Sequence, residues 1–262
     1  MRKIFALLFF LFTAYFSYSQ NTRIGVPFVR NYKPEMYHAA EQNWCTVEDS
    51  CGLTYFANES GVLCFNGKSW EIVGIAPNLS SFKSLAIDKN GTIYAGCYAD
   101  FGYLTKDEKG KIYYQSIADK IPNPYRKFDY IWAIVNTDEG LYFQSTYLSF
   151  LLKENNKIIP LIHSSPVKTF SINNTAYVLF YDGLKKIKNN TFVEIPGGKE
   201  FTKYNIMFIL PYENNDFLVG TESDGLFIFK NEKLIPFITP ANQYFKQYKL
   251  YCGTYTYDEN IV

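Results

Sequence analysis

Aromatic rings standing beside carboxylates and amides give this 262-residue chain its most chemically suggestive pattern. Tyr98 lies two residues before Asp100, Tyr147 follows Thr146, Tyr181 precedes Asp182, Glu222 and Asp224 bracket a serine, and Arg126 closes the run Asn123-Pro-Tyr-Arg126. A ring can stack on the C–H face of a sugar while a neighbouring carboxylate accepts hydrogen bonds from its hydroxyls. The competing explanation is that these are solvated loop tips held by turn-forming Asp and Asn. Two carboxylates brought together from distant segments would also serve glycoside hydrolysis, but no particular pair stands out in the sequence.

Other catalytic patterns fail on spacing. Gly61 to Ser69 ends in Gly67-Lys68-Ser69, yet five residues separate its glycines where a phosphate-binding loop needs four. Asp88-Lys-Asn-Gly91 opens like a calcium loop but lacks the later Glu. No Gly-x-Ser-x-Gly occurs, and the two histidines, His38 and His163, have no Ser or Cys partner that the sequence nominates. There is no Cys-x-x-Cys, so neither a metal site nor a catalytic centre is expected, and no cofactor is called for.

The elements that position the loops repeat along the chain. Asn43 to Trp70 reads as short apolar runs broken by Asp49-Ser-Cys-Gly52, Glu59-Ser-Gly61 and Asn66-Gly67, the pattern of four successive strands. Asp at the first position of a type I turn and Gly at the fourth make Asp49 to Gly52 a hairpin turn. Its echoes are Asp88-Lys-Asn-Gly91, Thr137-Asp-Glu-Gly140, a degenerate Ile172-Asn-Asn-Thr175 and Asn214-Asn-Asp216. A second marker glycine recurs at 61, 102, 183 and 225. The period is about 40 residues with four strands each, which predicts all-β architecture: a β-propeller of four-stranded blades, five repeats plus the start of a sixth. Trp44 and Trp132 each stand five residues before their turn, as equivalent bulk at equivalent inner-strand positions.

On this pattern the chain divides into a signal peptide (1-19), a lead-in (20-42) and an incomplete propeller (43-262). The blades lie near 43-73, 82-117, 130-161, 167-195 and 204-238, with a partial sixth over 247-262. Arg2-Lys3, the apolar run Ile4 to Phe16 and Ser17-Tyr-Ser19 have the order of a secretory leader, and the apolar run is too short to span a bilayer. A net charge of +1 with dispersed basic residues gives no footing for nucleic acid or an anionic membrane as partner. Five cysteines leave at least one unpaired, and buried free thiols are expected over a structural disulfide. In a propeller the second-to-third strand loops and the blade connections share one face, and Tyr98, Asp100, Arg126, Tyr147, Asp182, Glu222 and Asp224 all fall in them.

The run Gln42-Asn43-Trp44, the Asp-x-x-Gly turn before an aromatic strand, Gly61-Val-Leu-Cys-Phe-Asn-Gly67 and Trp70 resembles the two-component regulator propeller repeats. Phe101-Gly-Tyr-Leu104, Ile131-Trp132 and Gly140-Leu-Tyr-Phe143 extend the likeness, which covers about residues 24 to 262. Such repeats form the exported sensor portions of Bacteroidetes-type regulators. The resemblance implies a periplasmic, non-catalytic sensor, with an oligosaccharide or other small ligand as its partner in some relatives. In that plan a triple-tyrosine β-sandwich, a membrane helix and a cytoplasmic histidine kinase or helix-turn-helix output follow, and the full-length protein can form a homodimer. Here the sixth repeat stops in mid-strand, which reads as a truncated or split frame without its output half. The alternative function is an exported propeller enzyme acting on glycans. Mass spectrometry of the exported protein should find Gln20 as its first residue; an intact Met1 would contradict the leader.

Overall fold

Short loops between antiparallel runs set this architecture, and each turn type follows from its residues. In Asp49-Ser-Cys-Gly52 the Asp49 carboxylate accepts from the backbone N–H groups of Cys51 and Leu53 at 2.9 and 3.0 Å, and Gly52 takes the left-handed conformation at φ 79°. Asp88 repeats this with Asn90 and Thr92, and Asp107 with Lys109 and Lys111. The third and fourth repeats use another solution. Between Thr137 and Gly140 the loop shrinks to two residues closed by Thr137 Oγ1 donating to Gly140 O, and Asn173-Asn174 has φ of 47° and 55°, as a two-residue hairpin requires.

The computed structural model describes residues 29–256 and 260–262, so the signal-peptide expectation falls outside the described residues. The unit Pro34–Val262 carries the architecture. A short helix α1 (Pro34–Tyr37) precedes twenty strands in five antiparallel sheets, each a four-stranded meander. The first is β1 (Asn43–Glu48), β2 (Thr54–Asn58), β3 (Gly61–Phe65) and β4 (Trp70–Gly74). The second is β5 (Ser84–Ile87), β6 (Ile93–Cys97), β7 (Asp100–Lys106) and β8 (Ile112–Ser116). The third is β9 (Ala133–Thr137), β10 (Gly140–Gln144), β11 (Leu148–Leu152) and β12 (Ile158–Ile162). The fourth is β13 (Pro166–Ile172), β14 (Thr175–Phe180), β15 (Gly183–Lys188) and β16 (Thr191–Glu194), and the fifth is β17 (Ile206–Pro211), β18 (Phe217–Thr221), β19 (Gly225–Lys230) and β20 (Lys233–Phe237). This is a propeller array, and successive sheets touch through their first strands β1, β5, β9, β13 and β17.

Each blade is apolar on both faces because both are covered. Along β10, Leu141 and Phe143 pack into a cluster with Phe101, Ile131 and Phe150, while Tyr142 between them packs toward Val178, Phe180 and Ile187 of the fourth blade. Phe101 of the second blade stacks on Phe143 with centroids 4.3 Å apart and lies 5.2 Å from Phe150. After β20 comes helix α2 (Asn242–Tyr248). Leu250 N–H then donates to Glu222 O, just as Phe82 donates to Asn58 O and Ile131 to Cys97 O where the second and third repeats begin. Beyond Leu250, Tyr255 forms an isolated antiparallel bridge with Ile261.

Replacing Phe101 by Ala should cost about 3–5 kcal/mol, since it empties the contact between two blades. Asp88→Ala, which removes one half-buried turn acceptor, should cost only about 1 kcal/mol. Denaturant titration of both variants checks the order; equal losses would contradict the division of labour between rings and turns.

Candidate functional site

Each first strand begins at the end of the blade that carries the second-to-third strand loop, and a backbone irregularity sits there. Register slips occur between Asn43 and Cys45, between Pro166 and Lys168, and between Ile206 and Phe208, so Trp44, Val167 and Met207 are the extra residues of β-bulges. Lys83 and Trp132 hold the same station just before β5 and β9, donating their N–H groups to Gly96 O and Gln144 O. A bulge re-aims its side chain out of the alternating pattern. Trp44 and Trp132 are accordingly 45% and 44% exposed instead of lying in the core.

Three blades meet at this station. Trp44 of the first and Trp132 of the third lie edge to face with centroids 6.5 Å apart, over Lys83 of the second. Lys83 Nζ sits 3.7 Å from the Trp44 ring centroid and 5.2 Å from that of Tyr130. Tyr130 in turn packs on Trp132 at 5.3 Å and on Tyr98 at 5.1 Å. The Lys83 side chain is only 8% exposed. Its nearest anion is Glu59 Oε1 at 3.8 Å, on the β2–β3 loop and half exposed. Among the described residues, Lys83 Nζ has no acceptor at hydrogen-bonding distance and the Glu59 carboxylate has no donor. Desolvation pushes the Lys83 ammonium below its ordinary lysine pKa, with Glu59 opposing that shift.

The residues expected from sequence divide among several surroundings. Tyr98, 48% exposed, joins the aromatic shelf through Tyr130. Asp100 turns inward: it is buried, takes a hydrogen bond from Ser116 Oγ at 2.6 Å, and burial raises its pKa. The Arg126 guanidinium donates to the carbonyls of Ile121 and Asp119 and folds the blade connection. Tyr147 projects 69% exposed from the β10–β11 loop. Asp182 pairs with Lys185 at 2.7 Å. Glu222 is bound by Asn205 and Lys249, both at 3.2 Å, which lower its pKa. Asp224 is exposed beside it, its N–H donating to Thr221 Oγ1. The gathering of Trp44, Lys83 and Tyr130 beside the Glu59 loop was not read from the sequence. The matched phase of Trp44 and Trp132 was the signal for it, and that signal resembles core packing.

A serine and a histidine also meet, although their sequence positions give no sign of it. Ser149 Oγ lies 2.7 Å from His163 Nε2, and His163 Nδ1 lies 2.6 Å from Ser164 O. A carbonyl can only accept, so Nδ1 carries the proton, Nε2 accepts, and Ser149 donates to it. Ser149 is fully buried and takes the Tyr142 hydroxyl proton at 2.9 Å, so its oxygen is spent within the fold. Burial holds His163 below the usual histidine pKa. Among the described residues, no three His, Cys, Asp or Glu side chains gather as a metal site. All five cysteines are unpaired: Cys64 and Cys97 are buried, with burial pushing Cys97 up to about 12, whereas Cys51 and Cys252 are exposed.

Open hollows lie elsewhere on the surface. One of about 450 Å³ is lined by Lys168, Met207, Tyr251 and Cys252. Another of about 280 Å³ lies by Asp182, Lys185 and Lys199.

No family profile matches the chain, and no curated protein does. Solved structures do resemble it. A streptogramin B lyase shares 16% identity at TM-score 0.57, covering 84% of this chain and 74% of its own. A catalytically inactive histidine-to-alanine variant of virginiamycin B lyase from Staphylococcus aureus, solved with quinupristin, shares 14% at TM-score 0.54, covering 75% and 70%. Structural neighbours also include the extracellular domain of a hybrid two-component system from B. thetaiotaomicron, at 16% identity and TM-score 0.46, covering 84% of this chain and 36% of that one.

Because His163 is neutral when folded and its pKa is lowered, the unfolded chain takes up a proton near pH 6.5 that the folded chain refuses. Its contribution therefore falls as pH drops below about 6.5 toward the folded pKa. Melting curves from pH 7.5 to 5 should show the parent losing more stability than His163→Gln; parallel curves would contradict the neutral assignment.

Proposed function

We propose that this chain is the exported ligand-sensing propeller of a signalling regulator, and that it binds its ligand without converting it. One observation carries the reading: three blades contribute to a half-exposed aromatic shelf around a nearly buried lysine whose hydrogen-bonding capacity is unused. Its ion pair with Glu59 at 3.8 Å and the cation–π contact with Trp44, worth about 0.5–2 kcal/mol, hold the ammonium in place but leave its N–H donors open. A bound ligand supplies the missing partners. The repeats' likeness to regulator propellers, together with the leader-like order of residues 1-19, supports the sensor role and a periplasmic location.

The chemistry of the remaining groups fits binding better than turnover. Ser149 and His163 face one another inside the fold, and Glu222 and Asp182 are engaged by lysines. An oligosaccharide is the ligand implied by the resemblance, and its signal would pass to a triple-tyrosine domain, membrane helix and cytoplasmic output. Screened against a panel of plant and host glycans, the purified chain should show saturable thermal stabilisation with no product on chromatography. Hydrolysis abolished by Glu222→Gln or Asp224→Asn would establish the glycan-processing alternative instead.

A further inference from the structure

We infer that Lys83 and Glu59 act as a donor–acceptor pair that reads two adjacent hydroxyls of a neutral sugar ring seated against Trp44 and Trp132. This rests on the ligand-binding role proposed above and adds which chemical feature the site selects.

Geometry and charge point the same way. Lys83 Nζ and Glu59 Oε1 stand 3.8 Å apart, close enough to attract but beyond hydrogen-bonding distance. Neighbouring hydroxyls on a pyranose are separated by about the length of a hydrogen bond, so one can accept from the ammonium while the next donates to the carboxylate. Each contact is charge-assisted, which makes it shorter and stronger than a neutral one. Both groups have this capacity free, since neither has a hydrogen-bond partner among the described residues. The half-exposed indoles of Trp44 and Trp132 offer apolar surface beside the pair, matching the C–H face of the same ring.

Net charge separates this ligand from an acidic one. The Lys83–Glu59 pair is neutral in sum, and Glu59 is its half-exposed, solvent-accessible member. A uronate would set its carboxylate against Glu59, a like-charge approach that costs more as water is excluded. A diol satisfies both partners without adding charge.

Tryptophan fluorescence offers a local readout, because two of the three tryptophans, Trp44 and Trp132, form the shelf and Trp70 stacks on Phe65 elsewhere. The full chain is titrated with neutral gluco-, manno-, galacto- and xylo-oligosaccharides and with oligogalacturonates and glucuronate oligomers, and affinities are taken by calorimetry. At least one neutral series should shift the emission and bind at least tenfold tighter than any uronate. Lys83→Met, of similar length but unable to donate, should weaken that binding at least tenfold, and Glu59→Gln several-fold, with unchanged melting temperatures checking the fold. If Lys83→Met melts early, Lys83→Arg, which keeps the donors, should retain binding where Glu59→Ala loses it. Tighter uronate binding, indifference to both substitutions, or no response to any neutral sugar overturns the assignment. The sensor role is judged separately, by turnover, so a uronate bound without turnover would sink the diol reading and leave that role standing.

Discussion

Apolar surface on both faces of each four-stranded sheet is the constraint on which everything else depends. A sheet whose strand places Leu141 and Phe143 on one side and Tyr142 on the other cannot be stable alone, because one neighbour covers only half of it. Stacking the sheets face to face resolves this, and the stacked rings Phe101, Phe143 and Phe150 occupy the contact between two blades. The same stacking draws the first strands of successive blades together. Side chains separated by 88 residues, Trp44 and Trp132, then touch over a lysine from the blade between them. The site is a product of the blade period rather than of any local motif.

Much of that period was legible because turn chemistry is local. Asp49 and Asp88 accept from backbone two and four residues on, and such bonds need no knowledge of the rest of the fold. The degenerate fourth repeat was readable for the same reason, since paired asparagines tolerate positive φ. Its loop differs in type from the first while joining the same two strands.

The surroundings of the loop residues were less legible, for physical reasons. Trp44 and Trp132 were in phase, as expected, but an extra residue at the same station of each strand re-aims both side chains while leaving their spacing to the turn equal. Lys83 matches them only through its backbone bond to Gly96, while its side chain differs completely. Asp100 belongs to the expected loop, yet the half-buried Ser116 hydroxyl draws its carboxylate inward. Ser149 lies opposite Leu161 across β11 and β12, and His163, two residues further on and just past β12, reaches it diagonally, a relation set by register. Glu222 is where its loop should place it, but its charge is already met by Lys249, which lies beyond the last complete blade.

Lys83 is therefore the residue whose state tests the whole account: a desolvated ammonium held over an indole and left without acceptors. The most direct measurement is an NMR pH titration of lysine side chains labelled with 13C and 15N, with the Lys83 signal identified by its loss in Lys83→Met. Its methylene resonances should be shifted upfield by the Trp44 ring, and it should lose its proton below the ordinary lysine value of 10.5. A Lys83 signal with no ring shift and an ordinary titration would place the ammonium in water and remove the basis for a ligand site here.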